Sequence, residues 1–310
     1  MLKAIEKNSD RLRTYLDSRS EQASPDILAR VADILQKVKT EGDKVLYEYT
    51  ERFDGVRLDA LRVSEEEIDA AIAKCDPFFM ESMRRAKDNI TAFHQAQIQQ
   101  SYLQEREDGV YLGVRVIPLE AVGIYVPGGR AQYPSSVLMN AIPAKVAGVG
   151  RIVMVTPPDK NGGIHPNIAF AARLAGVTEI YKVGGAQAIA ALAYGTESIA
   201  RVDKITGPGN VYVASAKRLV YGTVDIDMIA GPSEILVIAD EGADPAYVAA
   251  DLLSQAEHDP MASAILLSPC AALIEKVNEE LKKQSAVLPK REIVEASLKN
   301  YGISISISPS

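Results

Sequence analysis

Two spacings of hydrophobic residues divide this chain. Up to about residue 107, apolar positions return every three or four residues within charged sequence, the spacing of amphipathic helices. Ile27, Val31, Ile34, Leu35 and Val38 follow it behind Ser24-Pro25, an N-cap with proline at the first helical position. Ser64-Glu65-Glu66-Glu67 is a capping-box pattern ahead of Ile68, Ala71 and Ile72. After Pro77, the residues Phe79, Met83, Ala86, Ile90 and Phe93 fall on one helical face, with His94 beside it as a structural or solvated residue. Near Gly109 the period changes to two. Val110, Leu112, Val114 and Val116 alternate, which predicts a half-exposed strand.

From Ala121 a unit repeats: a short β-branched run, a glycine-rich loop, then an alanine-rich helix. Strands are predicted at 121–126, 151–156, 179–183, 202–206, 234–239 and 264–268. Helical patterns lie between them at 137–147, 168–174, 186–193, 211–220 and 247–257, and two more follow at 271–283 and 290–300. Strands alternating with helices imply βαβ units and a parallel sheet, so the fold class is α/β. The chain closes on Ile-Ser-Ile-Ser-Ile-Ser-Pro-Ser, which reads either as a last edge strand or as an appendage without a packed partner.

Composition narrows the function classes. With 310 residues and 47% hydrophobic residues, the chain can bury a substantial core, and the length prior allows two domains. A net charge of −7 argues against a nucleic-acid binder. No apolar run approaches the roughly 20 residues that span a bilayer, and the charged N-terminus lacks a signal-peptide core. The two cysteines, Cys75 and Cys270, form neither a disulfide framework nor a C-x-x-C site. These features point to a cytoplasmic enzyme.

Loops leaving the carboxyl ends of parallel strands are where ligands bind. Here they are Pro127-Gly128-Gly129, Gly162-Gly163, Gly184-Gly185-Ala186-Gln187, Thr206-Gly207-Pro208-Gly209-Asn210 and Ala230-Gly231-Pro232-Ser233-Glu234. Singly, each reads as an ordinary βα turn; together they read as a crevice whose helix starts favour anionic groups. The full G-x-G-x-x-G fingerprint is absent, so a phosphate- or nucleotide-binding module using the glycine loops alone stays open. Gln187 and Asn210 stand at helix starts with amide groups suited to hydroxyls or another amide. Tyr125 ends its strand beside the glycines, either to stack on a ligand or to close the core rim. Gln255 and His258, three residues apart, read either as two ligands of one metal or as a histidine meeting a helix dipole before Pro260. His165 reads as solvated.

The segments GIYVPGGRAQYPSSVLMNAIPAKVAGV, VGGAQAIAALAYGTESI, ITGPGNVYVASAKR, DMIAGPSEILVIAD and LLSQAEHDP, taken in order, resemble histidinol dehydrogenase. The resemblance runs from about the helix containing Ile27 through Gly302. It implies a zinc-dependent homodimer that oxidises L-histidinol through L-histidinaldehyde to L-histidine with two NAD, the last step of histidine biosynthesis. It also implies two Rossmann-like parallel-sheet domains, one inserted in the other, after a helical N-terminal segment. On this sequence they would be 1–20 (helical segment), 21–124 with 235–302 (first domain), 125–234 (inserted domain) and 303–310 (atypical tail). By motif, Tyr125, Gln187 and Asn210 match NAD contacts, Ser233 a substrate contact, and Gln255 and His258 zinc ligands that also touch the substrate.

The family's Glu-His acid/base pair and its further zinc ligands, an aspartate and a histidine of the partner subunit, follow the segment matching Lys299-Asn300-Tyr301-Gly302. No such motif occurs here, and no histidine follows His258. No catalytic residue is therefore assigned. The expectation is a member of the family truncated at its C-terminal end, with a weakened dimer and little activity. The alternative is an inactive homologue that keeps an NAD-binding crevice.

Overall fold

A computed structural model describes residues 1–20, 24–128, 133–229 and 233–307. The chain opens with β1 (Lys3–Glu6) and α1 (Asp10–Ser20). Four helices follow: α2 (Pro25–Glu41), α3 (Asp43–Asp54), α4 (Glu65–Ile72) and α5 (Pro77–Gln95). Next come β2 (Tyr102–Glu105) and β3 (Tyr111–Val114). Strands and helices then alternate as β4 (Ala121–Tyr125), α6 (Pro134–Val146), β5 (Arg151–Thr156), α7 (Pro166–Ala175), β6 (Glu179–Lys182), α8 (Gly185–Tyr194), β7 (Lys204–Thr206), α9 (Val211–Val220) and β8 (Asp225–Ile226). The last stretch holds β9 (Glu234–Ile238), α10 (Pro245–Ala256), β10 (Ser263–Ser268), α11 (Ala271–Ser285), α12 (Arg291–Tyr301) and β11 (Gly302–Ser306). The α/β class and parallel sheets expected from the sequence are present. The chain divides into two compact units, 1–22 with 231–310, and 23–230.

In the 23–230 unit, the five-stranded sheet has the order β6-β5-β4-β7-β8, all parallel. From central β4 the chain winds outward through β5 and β6, then crosses to the other side of β4 for β7 and β8. Winding in both senses puts helices on both faces. Strand alternation sorts the side chains between them. Val122, Ile124, Ile152, Met154 and Ile180 pack with residues of α4 to α7. Tyr125, Val153, Val155, Tyr181 and Ile205 pack with α2, α3, α8 and α9. Helix starts follow the sequence signals: Ser24 Oγ accepts from the Ile27 amide, and Ser64 and Glu67 close a capping box.

Three expectations differ here. Residues 21–124 were grouped with the strands after 234, yet α2 to α5 bury their apolar faces against β4 to β7, and the boundary at 124 falls inside β4. The alternating stretch near Gly109 forms β3, paired with β2, and every residue of both strands is exposed, because among the described residues no further layer covers this ribbon. Phe93, placed on the packed face of α5, is 65% exposed.

In the other unit, the order is β1-β11-β10-β9, again all parallel. Helices α10, α11 and α12 share one core with Leu266 and Ala264. Ile303 and Ile305 pack the opposite face with Ile5, Leu12 and Tyr15. The segment expected as an edge strand or atypical tail therefore lies inside a sheet, paired on both sides. Its period of two explains this: isoleucines enter one layer while Ser304, 2% exposed, enters the other. Residues 1–20 were expected to be helical, but β1 precedes α1 and supplies the outer partner of β11.

Candidate active-site cleft

The carboxyl ends of β4 to β7 open into a cleft of about 1420 Å³ within the 23–230 unit. It lies where β4 and β7, neighbours in the sheet, send their chains in opposite directions, the usual ligand position in such sheets. Tyr125 ends β4, is buried on the α8 side, and its hydroxyl accepts the Gly185 amide at 3.1 Å. Burial first, and then the charge of Asp54, pushes its phenol up to about 12.

Gly185 opens α8 with φ +66°, and a Cβ there would stand 2.6 Å from Gln187 Oε1. Glycine is thus required both for the turn and for the Gln187 side chain, which lines the cleft at 2% residue exposure. The N-cap Gly184 has no side chain to cap α8; the Gly185 amide goes to Tyr125, and those of Ala186 and Gln187 face an N-terminus that favours an anionic group. Asn210 caps α9, its Oδ1 accepting the amides of Tyr212 and Val213, both at 3.1 Å. With the oxygen committed, the NH2 of Asn210 is what it offers the cleft.

An ion pair between a buried lysine and a partly exposed aspartate fixes the loop that carries Asn210. Lys217, 2% exposed, donates from Nζ to the Gly207 carbonyl at 3.0 Å and pairs with Asp227. Asp227 Oδ2 in turn accepts the Gly207 amide at 2.8 Å. Gly207 has φ +112°, and a Cβ there would meet the Tyr125 carbonyl oxygen at 2.2 Å, so the loop lies directly on the end of β4.

Helices α2 and α3 and the β5–α7 turn complete the walls. Lys37 pairs with Asp33 at 3.1 Å, and the rings of Tyr49 and Phe53 stack with centroids 5.2 Å apart. Asp54 is half-buried; desolvation pushes its carboxyl up to about 6, and its Oδ2 has no hydrogen-bond partner. His165, expected to be solvated, is half-buried and caps α7, with Nδ1 accepting the Asn167 amide at 3.2 Å. That bond assigns the hydrogen of a neutral ring to Nε2. No local sequence signal marks Asp54 or His165 as a cleft residue. Each ends or begins a helix in a stretch without a ligand motif.

The structure brings Tyr125, Gln187 and Asn210 to this one cleft. Ser233, Gln255 and His258 belong to the other unit. Ser233 is exposed at the start of β9, its carbonyl accepting the Ser263 amide at 3.1 Å. Gln255 lies half-buried in the last turn of α10; His258 is exposed in the turn beyond, its amide donating to the Gln255 carbonyl at 3.1 Å. Helix α10 ends at Ala256, and Glu257, still in the right-handed helical region, leads into His258. No group of three or more His, Cys, Asp or Glu side chains able to hold a metal occurs among the described residues. Gly129 and residues 230–232 of the candidate loops lie outside the described residues.

Comparison with known proteins is consistent along the chain. A family model described as histidinol dehydrogenase matches residues 17–309, continuing past Gly302 through β11. Histidinol dehydrogenase of Listeria monocytogenes serovar 1/2a is 57% identical over 274 residues, covering 88% of this chain and 64% of that protein. Its counterpart from Clostridium acetobutylicum is 54% identical over 292 residues, covering 94% and 68%. The crystal structure of histidinol dehydrogenase from Elizabethkingia anophelis superposes with a TM-score of 0.90 at 39% identity, covering 99% of this chain and 71% of that one. This chain thus spans about two thirds of the length of the curated relatives it matches. Among the described residues, no helix is long and apolar enough to cross a membrane.

Proposed function

The chain belongs to the histidinol dehydrogenase family, and from that membership we propose that its cleft binds NAD for the oxidation of L-histidinol through L-histidinaldehyde to L-histidine. The observation that carries the reading is the meeting of Tyr125, Gln187 and Asn210 at the switch point of the doubly wound sheet. The residues fit a dinucleotide. First-turn amides of α8 beyond that of Gly185 suit its pyrophosphate. The Asn210 NH2 and the Gln187 amide offer neutral hydrogen bonds to hydroxyl or carboxamide groups, and the stacked Tyr49 and Phe53 rings give an apolar wall. NAD supplies the hydride acceptor. What the chain supplies is orientation: Lys217 and Asp227 hold the loop, and the Tyr125 hydroxyl braces the first amide of α8.

Zinc fits less well. Gln255 and His258 would give one amide oxygen and one imidazole nitrogen, half of a tetrahedral set. By family motif, Ser233, Gln255 and His258 contact the substrate, and the working form is a cytoplasmic homodimer, measurable by sedimentation.

Titration calorimetry of the purified chain with NAD tests the reading. Saturable binding is expected, weakened about tenfold by Gln187→Ala or Asn210→Ala. No binding, or binding indifferent to both changes, would overturn it. Reduced-nicotinamide formation from L-histidinol, with zinc added, then tests turnover.

A further inference from the structure

Asp54 ends α3 on the wall of this cleft. Its Oδ2 is sealed from solvent and has no hydrogen-bond partner. Buried polar atoms ordinarily find partners, and one left without costs stability. Burial raises this carboxyl. Tyr125, arriving from β4, is near enough for the Asp54 charge to act on its phenol. The phenol oxygen already accepts the Gly185 amide, which leaves the hydroxyl hydrogen to donate.

The cleft therefore carries a donor, the Tyr125 hydroxyl, and an electrostatically coupled acceptor, the Asp54 carboxylate. A hydroxyl accepts and donates through one oxygen and satisfies both. A phosphate dianion only accepts, and it is repelled by the carboxylate.

We propose that Asp54 is a specificity-determining residue: with Tyr125 it takes an uncharged ribose-type hydroxyl of the bound dinucleotide and disfavours a phosphorylated one. This rests on the dinucleotide reading above. In many doubly wound sheets the task falls to an acid following the first βαβ crossover. The acid after β5 is Asp159, whose Oδ1 is occupied by the amides of Asn161 and Gly163 at 2.8 and 3.0 Å. Asp54 reaches the cleft from outside the strand–helix repeat. Four lysines and arginines line the described part of the cleft: Lys37 is paired with Asp33, Arg52 lies over the Phe53 ring at 5.4 Å, and Arg30 and Lys160 complete the set.

Calorimetric titration of the full chain with NAD and with NADP tests the assignment. The wild type is expected to bind NADP at least about tenfold more weakly than NAD. Asp54→Asn keeps the side chain's shape and removes its charge. It is expected to narrow that preference about tenfold, mainly by improving NADP binding, while the melting temperature holds or rises. Asp54→Ala, which has no acceptor at all, is expected to narrow it too. A merely structural residue would shift stability and both affinities together and leave the ratio fixed. An unchanged ratio in both variants overturns the proposal while the dinucleotide reading stands. A wild type that binds neither nucleotide removes that reading, and the proposal with it.

Discussion

Asp54 and Lys217 show opposite ways of burying a charge beside a ligand cleft. Burial raises the Asp54 carboxyl from 3.8 to about 6. A carboxyl whose folded value lies above its unfolded value holds its proton more tightly in the native state. The native state is therefore penalised as pH rises from about 4 to about 6, and the penalty persists above that. Asp54→Asn is expected to raise stability at pH 8 by about 1 kcal/mol, a third of the full shift, because the residue is only half-buried. Near pH 4 the change is expected to be small. Urea denaturation at the two pH values checks this; equal effects at both would show that the charge is not the cause. Lys217 is paired, and its loss is the costly event. Lys217→Met removes the partner of a partly exposed Asp227 and frees the Gly207 carbonyl, with an expected loss of about 1–2 kcal/mol and weaker NAD binding through the Asn210 loop. Chemical denaturation and nucleotide titration measure the two effects separately.

At the scale of elements, the same sequence signal met two different fates. Residues 110–116 and 302–307 both alternate apolar and polar side chains. The first became an exposed ribbon with one partner, and the second an interior strand with two. Alternation reports the backbone period, not which strands pair on either side, and the pairing strands come from elsewhere in the chain. For β11 they are β1, some 300 residues earlier, and β10. The βαβ units were legible because each strand, loop and helix carries its own local signal: β-branched run, glycine turn, N-cap. Tyr125, Gln187 and Asn210 were legible through their motifs. Asp54 was not, since helical spacing marks the buried face of α3 and says nothing of an acid at its end. The different fates make a test. Ile303→Ala is expected to cost about 2–4 kcal/mol through the cavity it leaves under α1. Leu103→Ala in the ribbon, at 70% exposure, is expected to cost less than about 0.5 kcal/mol. Denaturation midpoints compare them directly, and similar losses would mean that the ribbon is covered in solution.

For the whole molecule, cofactor chemistry separates by how much of each site one unit contains. The proposed NAD contacts all come from the 23–230 unit and sit on strand ends and helix starts. The proposed zinc donors Gln255 and His258 come singly, from a helix end and an exposed turn. An imidazole and an amide oxygen are a weak pair for zinc, which binds tightly when three or four nitrogen, sulfur or carboxylate donors close around it. Purified chain is therefore expected to lose nearly all its zinc on dialysis while NAD still binds. Zinc content by plasma mass spectrometry and NAD titration on the same dialysed sample measure both. Retention of one zinc per chain, lost in His258→Ala, would show that other donors of this chain close around that histidine.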